Sequence, residues 1–378
     1  MRTQRGYSMI EVMVAITLSV IVTQAAISVF GANKSTSKTT AAIAAVSDNG
    51  RFALSFIEQS VRSGGYMACD AINDLHALPP PGPATYRQLN VMPAGATPVQ
   101  NAYQFAFGGY EAGGSGQGAA VALAAPPLAA DTTAGDWLAA GLDPLLTANT
   151  AAVPGVIKGS DVLVVRETLP QTTTLYTTAP YAPGTTLLSV NDTSSLATLA
   201  LPHAAVLSNC SVSVAFQLSA VGAGTPGTLT MGAGTTIAFD PYAAVTPVDT
   251  AIFYIGKGRD NDGALYVWHD DTGASTELVP DVENMQVLYG IAPTTPNLVT
   301  QYVTADAVPL NGSGLPDFNR VISIKVAMLV ASPPGAPAVR APAVAPTYAL
   351  LGTTVTAPLD TRMRKVFDIT VAARNAAL

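Results

Sequence analysis

Charged residues are scarce in this sequence, and histidine and cysteine are rarer still. Only 11% of its 378 residues are charged, which is less than half the quarter that is typical of soluble domains. With 18 basic and 25 acidic residues, the chain offers no basic surface for nucleic acid. The sequence therefore indicates a sparsely charged secreted or envelope protein rather than a nucleic-acid-binding one.

Catalytic signatures are missing as well. The three histidines, His76, His203 and His269, lie far apart without metal-ligand spacing, and we interpret each as a surface or structural residue. The sequence contains no G-x-S-x-G, H-E-x-x-H or P-loop motif. It therefore predicts no catalytic residue, no cofactor and no enzymatic activity.

Two cysteines, Cys69 and Cys210, leave two interpretations open. In a cytosolic protein they would be ordinary free thiols, whereas in an oxidising periplasm they would form one disulfide. Closing a loop of about 140 residues would stabilise the fold by on the order of 4–5 kcal/mol. We favour the disulfide.

One long apolar run occupies the amino terminus. It extends from Tyr7 to Phe30, contains a single charge at Glu11, and follows Arg2 and Arg5. A run of this length crosses a bilayer as a helix, and the arginines predict a cytoplasmic start with the bulk of the chain outside. A secretory signal or a plain anchor begins in the same way, but neither needs a carboxylate, which is costly in a membrane.

The residues Gly6-Tyr7-Ser8-Met9-Ile10-Glu11-Val12 resemble the prepilin cleavage and methylation motif of type IV pilins and pseudopilins. The resemblance implies that residues 1–6 are a leader, that prepilin peptidase cuts between Gly6 and Tyr7, and that Tyr7 is then N-methylated. Tyr7 departs from the phenylalanine usual in the family. Glu11 would be the fifth mature residue and would pair with the amino group of Tyr7 in the same or a neighbouring subunit, because an unpaired buried charge is costly.

The helix is predicted to continue to about Ser63, since no proline precedes Pro79 in a chain that holds 28. Residues 7–30 would form the membrane-spanning, filament-core part, and residues 31–65 its amphipathic continuation. The Gly64-Gly65 pair predicts the stop.

The second half of this helix carries an apolar face. Leu54, Ile57 and Val61 recur at helical spacing, and Phe52 and Phe56 extend the same broad side. We predict that these side chains pack in the core of the globular head.

The remainder divides into two parts. Residues 66–160 are rich in Pro, Gly and Ala and predict a loop region of the head, with a short helix near 136–146. Residues 161–378 predict a β-rich pilin head, whose apolar and β-branched runs without helical crossovers favour an antiparallel sheet. The predicted strands are DVLVVRET, SVSVAFQLSAV, DTAIFYIGKG, GALYVWHD, ENMQVLYGI, RVISIKVAMLVAS and KVFDITVAAR.

One acidic cluster holds Asp260, Asp262, Asp270 and Asp271. The segment Asp260-Asn261-Asp262-Gly263 resembles the start of a calcium loop, but the later ligands and the terminal glutamate are missing. Because it separates two predicted strands, we favour a hairpin turn and keep Asp260 and Asp262 as a weak calcium alternative.

Later blocks resemble the PilW group of minor pilins. The resemblance implies an α+β, pilin-like fold with a long N-terminal helix packed on an antiparallel β-sheet head. The blocks are Asn49–Leu54, Gly65–Cys69, Val282–Gly290, Tyr348–Gly352, Arg364–Phe367 and Ala373–Asn375.

The predicted function is that of a PilW-like minor pilin in type IV pilus assembly or initiation. Its expected partners are prepilin peptidase, other minor and major pilins, and the inner-membrane assembly machinery. It would lie in the bacterial inner membrane as a single-pass protein with a periplasmic head, and then in the filament or at its tip. A minor pseudopilin of a type II secretion system is the alternative, and a membrane-anchored periplasmic enzyme is a weaker one.

Overall fold

The computed structural model describes residues 8–67, 70–71, 90–91, 105–126, 128, 155–169, 174–209, 212–292, 298–310, 316–334, 342–373 and 375. Gly6, Tyr7, Cys69 and Cys210 lie outside the described residues, as does the helix predicted near 136–146. The cleavage, methylation and disulfide predictions therefore stay predictions.

Helix α1 (Met9–Ser63) is one unbroken element of 55 residues and spans about 80 Å at 1.5 Å per residue. Its most apolar 18-residue stretch has a mean hydropathy of 2.2, and none of that stretch is buried. The helix ends where predicted, since the Gly64 N–H donates to the Ser60 carbonyl at 2.8 Å and Gly65 takes a positive φ of 79° that favours glycine.

The apolar face of the second half is narrower than predicted. Ile57 and Val61 are fully buried as expected, and Leu54 packs against the same core. Phe52 and Phe56, however, are 60% and 40% exposed, so their assignment to the core is wrong. At about 100° per residue, both lie at least 100° around the helix from Ile57, outside its buried stripe.

The described strands are numbered in chain order. They are β1 (Tyr66–Met67), β2 (Asp70–Ala71), β3 (Asn90–Val91), β4 (Phe107–Tyr110), β5 (Ala120–Ala122), β6 (Val162–Thr168), β7 (Leu175–Tyr176), β8 (Leu187–Val190), β9 (His203–Ser208), β10 (Ser213–Gly222), β11 (Gly227–Met231), β12 (Ala244–Lys257), β13 (Gly263–His269), β14 (Ala274–Pro280), β15 (Val282–Ile291), β16 (Gln301–Val303), β17 (Val321–Ala331), β18 (Thr347–Leu350), β19 (Thr353–Thr356) and β20 (Arg364–Ala372).

The helix packs on a body that is built from two sheets. The four-stranded sheet has the order β16-β15-β17-β20 and is antiparallel throughout. Beside it lies part of the larger sheet, β14-β13-β12 with β6 and β4. Val46, Ala53, Ile57 and Val61 of α1 join one apolar core with residues from both sheets. The predicted α+β class, a long helix on mainly antiparallel sheets, is confirmed.

Strand β12 is shared by two parts of the larger sheet. Its residues 248–253 pair with β6, and its residues 244–247 pair with β9. Thr168 at the end of β6 lies opposite Val248, so the chain leaves this body after residue 168 and returns to it at Val248. The intervening strands β8 to β11 have an apolar core of their own, which includes Leu188, Phe216 and Leu229.

Part of the segment predicted as loop is strand. Residues 107–110 form β4, which pairs with β6 and is buried throughout, and residues 120–122 form β5. The loop prediction for 66–160 is therefore wrong at these two strands and at the two-residue strands β1, β2 and β3. β4 pairs through Gly108 and Gly109, and Gly109 leaves room for the Tyr289 ring.

Candidate functional site: the helix and its junction with the head

The amino-terminal half of α1 stands free of the head. Every residue from 8 to 38 is exposed, including the apolar side chains Ile10, Val14 and Leu18. Glu11 lies in the first turn of the helix, where the partial positive charge of a helix N-terminus favours a carboxylate. The isolated chain thus presents an apolar rod with one acidic group near its tip.

Hydroxyl groups within the rod are satisfied by the helix itself. Thr17 donates to the Met13 carbonyl at 3.1 Å, and Ser19 donates to the Ile16 carbonyl at 2.8 Å. Such bonds leave no unpaired donor in an apolar surrounding, so these residues need no partner helix.

The other end of the helix is fastened to β6. The Ser60 and Ser63 hydroxyls both donate to Oε2 of Glu167 at 3.0 Å, and the Gly65 N–H donates to the Arg166 carbonyl at 2.9 Å. Burial raises the pKa of Glu167, and the two serine hydrogen bonds partly oppose this. The carboxylate therefore ties the helix end to the sheet.

The chain's C-terminal region closes the same junction. Asn375 donates from Nδ2 to the Gly64 carbonyl at 3.1 Å. On the helix face, Asn49 donates to the Pro280 carbonyl at 3.2 Å, at the end of β14. The helix is thus held to the head at both ends of its buried segment.

A buried ionic network joins the C-terminal strand to the body. The Arg364 side chain is 1% exposed, with Nε 2.6 Å from Oε2 of Glu283 and Nη2 2.6 Å from Oδ2 of Asp360. Arg362 Nη2 lies 2.8 Å from Oδ1 of Asp281. Burial raises the pKa of Asp281 to about 6 in spite of the Arg362 charge.

The segment Asp260-Asn261-Asp262-Gly263 connects β12 to β13 as a turn, with Asn261 at a φ of 60°. Asp262 is buried, and its Oδ1 lies 2.9 Å from Nη1 of Arg362, whereas Asp260 is exposed. The guanidinium beside Asp262 disfavours a cation at that carboxylate. The calcium alternative stays a weak prediction.

The sheet also assembles a cluster that the sequence spacing did not indicate. Nδ1 of His269 lies 2.6 Å from Oδ2 of Asp249, and the Asp271 carboxylate lies beside them. This hydrogen bond raises the pKa of His269. His203, buried in β9, carries a pKa that burial lowers.

Comparison with known proteins finds two family models that match parts of the chain. Residues 252–375 match the family model of the type IV pilus-assembly protein W, PilW, and residues 1–23 match the prokaryotic N-terminal methylation motif. The chain thus combines a PilW-like C-terminal segment with a type IV pilin-like N-terminal motif. No curated protein matches it significantly.

One solved structure similar to the PilW-like chain is described as a type IV-like pilin, TTHA1219, from Thermus thermophilus. It is 22% identical, and the alignment covers 35% of this chain and 70% of that one, with a TM-score of 0.19. A score this low supports no conclusion about shared geometry.

The family match and the ionic network overlap. Residues 252–375 of the PilW-like chain run from β12 to the C-terminus and contain Arg362, Arg364, Asp281 and Glu283. The sequence signals that could have found the network are the paired arginines and the Asp-Val-Glu segment, but their contact depends on the register of β15, β17 and β20.

Proposed function

We propose that the PilW-like chain is a minor pilin that takes part in type IV pilus assembly or initiation. It is processed by prepilin peptidase after Gly6 and assembles through its N-terminal helix. One observation carries the proposal: the apolar half of α1 stands exposed with Glu11 in its first turn, while the other half is anchored in the head.

The physical argument concerns where the rod can reside. Large exposed side chains such as Met9, Ile16 and Phe30 are 82%, 57% and 73% exposed. Apolar surface gains roughly 25 cal/mol for each Å² removed from water, so the rod belongs in a bilayer or among like helices. The head then lies in the periplasm, and the rod passes from the inner membrane into the filament core.

Glu11 would fix the axial position of the helix when it passes from the membrane into the filament core. A carboxylate within an apolar bundle needs a cation, and the amino group of Tyr7, freed by cleavage, lies four residues away in sequence. Pairing between Glu11 and Tyr7 of the same or a neighbouring pilin would set the axial register of the subunits.

The exposed phenylalanines of the anchored half offer a second contact. Phe52 and Phe56 face away from the core and lie on the solvent side of α1. In a filament this side would face neighbouring pilins, which explains why aromatic residues stand where a soluble protein would place charge.

Intact mass spectrometry of protein from the host's inner membrane tests the processing step. The expected mass is that of a chain starting at Tyr7, with or without one methyl group. A chain that keeps Met1, or one cut beyond Phe30, would mean a simple anchor or an export signal and would overturn the proposal.

Assembly is tested by Glu11→Ala with Glu58→Ala as its matched control. Glu58 lies on the same helix and pairs with Arg62 at 2.5 Å on the head side. Both variants should be processed, but only Glu11→Ala should be depleted from sheared filaments. Equal incorporation would exclude the register role of Glu11, and a gene deletion that blocks secretion but leaves pili intact would refute the pilus assignment.

A further inference from the structure

The cluster around Asp249 is built at the point where β12 changes neighbours. Asp249 lies opposite Glu167 of β6, and His269 lies opposite Ala251, two residues further along β12. Directly paired residues, and residues two apart on one strand, share a face. Asp249, His269 and Glu167 therefore project to the helix-bearing face.

Three potential ligand atoms converge there. One carboxylate oxygen each of Asp249 and Asp271 and a ring nitrogen of His269 all lie within 4.8 Å of one another. The Asp271 N–H donates to Oδ1 of Asp249 at 3.1 Å, which fixes the turn after β13 over the strand. Asp249 is buried, while the His269 side chain is 32% exposed.

Unsatisfied polar atoms face the same place. His203 is 5% exposed, and its Nε2 has no hydrogen-bond partner among the described residues, nor does Oδ1 of Asp271. Pro247 of β12 pairs with Ala205 of β9. If this antiparallel register is extended by two residues, His203 lies opposite Asp249. Buried polar atoms are normally paired, and each exception requires a reason.

We propose that Asp249, His269 and Asp271 bind one divalent transition-metal ion of the zinc class. One imidazole nitrogen and two carboxylate oxygens form a three-ligand set that suits zinc and leaves a fourth position for water. Calcium, which prefers an all-oxygen shell, is disfavoured by the imidazole.

The geometry needs only a small adjustment. Ligand atoms about 2.0–2.2 Å from a tetrahedral zinc ion stand about 3.3–3.6 Å apart. Nδ1 of His269 and Oδ2 of Asp249, now 2.6 Å apart, must therefore separate by roughly 0.7–1.0 Å. The ion displaces the proton that they share. A cleft of about 460 Å³, lined by Leu169, Pro247, Asp271 and the 195–200 segment, gives solvent a route to the site.

A metal here would fasten three elements together. It would join β12 directly to the turn after β13. It would also support β6, because Glu167 of β6 pairs with Asp249 and accepts the hydrogen bonds of Ser60 and Ser63 at the end of α1. Because only the folded chain presents these ligands together, binding should raise the unfolding temperature, by about 4 °C at one hundred times the dissociation constant.

The test uses the full-length protein in detergent, stripped with EDTA and alkylated so that Cys69 and Cys210 cannot bind zinc. Zinc is titrated by calorimetry, with calcium and magnesium in parallel. His269→Gln and Asp271→Asn remove ligands at the solvent-accessible side, and Asp260→Asn is the control, since it removes one nearby but exposed carboxylate.

We expect one zinc ion per wild-type chain, with binding weakened at least tenfold in both ligand variants and unchanged in the control. The unfolding temperature should rise with zinc only where zinc binds. Absence of wild-type binding, or zinc binding in His269→Gln and Asp271→Asn equal to that of the wild type, would overturn the proposal. If the wild type binds no zinc but the variants melt at a lower temperature, the proposal would also be overturned. The cluster would then be only an internal ion pair between His269 and Asp249.

Discussion

Among the described glycines, Gly109 is the one at which an added Cβ would make the shortest contact. A Cβ added there would overlap the hydroxyl oxygen of Tyr289 and lie 2.6 Å from its Cζ and 3.1 Å from the Val162 carbonyl. Tyr289 is fully buried, its hydroxyl donates to the Gly108 carbonyl at 3.2 Å, and its ring meets Phe318 edge-on at 5.3 Å. The ring has nowhere to retreat.

The expected cost of Gly109→Ala follows from these contacts. Overpacking costs about 1–3 kcal/mol, and loss of the buried hydrogen bond about 1–3 kcal/mol more. Alanine also lowers the conformational entropy of the unfolded chain, which offsets about 0.4–1 kcal/mol of this loss. We expect a net loss of about 2–5 kcal/mol, which lowers the melting temperature by roughly 3–8 °C.

The adjacent glycine is the matched control. A Cβ at Gly108 would meet Val164 at 3.4 Å, an ordinary contact. Gly108→Ala should therefore change the free energy of unfolding by less than about 1 kcal/mol. Both variants can be followed in the full-length protein by thermal unfolding, because Trp268, 2% exposed, reports on the head by its fluorescence.

A double-mutant cycle tests whether the overlap with the Tyr289 hydroxyl causes this loss of stability. Tyr289→Phe removes the overlapping oxygen, so the loss from Gly109→Ala should be smaller when it is combined with Tyr289→Phe than in the wild type, with a coupling of about 0.5–3 kcal/mol. Equal stability of the two glycine variants, or strict additivity with Tyr289→Phe, would refute the reasoning.

Two further predictions concern buried charge. Burial, reinforced by the charge of Asp161, raises the pKa of Glu111 to about 8, so the folded state holds a proton that the unfolded state releases, and stability should fall as pH rises from about 4.5 to 8. Glu111→Gln should reduce the loss of unfolding free energy between about pH 5 and pH 8.5, measured by urea unfolding. Part of the loss should remain because Asp161 also has a raised pKa, of about 7. An unchanged pH dependence of stability would contradict the role of Glu111. Arg364→Met should lower the free energy of unfolding by about 3–5 kcal/mol because it leaves buried Glu283 without its cation. Arg320→Met, at an ion pair whose arginine is 43% exposed, should lower it by less than about 1 kcal/mol. Similar losses for the two variants in denaturant unfolding would be inconsistent with burial as the cause.

Local signals account for what the sequence predicted well. The helix and its end at Gly64 depend on the absence of proline and on a glycine pair, both readable along the chain. The alternating apolar runs of β6, β12 and β17 are likewise local. Strand β4 was missed because Phe107-Gly108-Gly109-Tyr110 reads as a turn, and only the ring of Tyr289 explains its glycines.

Long-range register accounts for the rest. His269 and Asp249 stand twenty residues apart, and their contact depends on how β12 and β13 pair. Arg364 and Glu283 depend in the same way on β15, β17 and β20. Periodicity along one strand gives its faces but not its neighbours, so neither cluster could be predicted from spacing.

The departure of the chain at Thr168 and its return at Val248 make residues 169–247 a module. Both ends of the module meet at one pair of bonded strands. Most of its buried apolar side chains form a separate core, while Ala204, Val206 and Ala215 join the core beneath the helix. Strands β8 and β11 contribute their buried side chains only to the separate core, so changes confined to them would leave the packing of the helix in place. The outer strands can thus change in length or shape while the surface on which the helix packs is preserved.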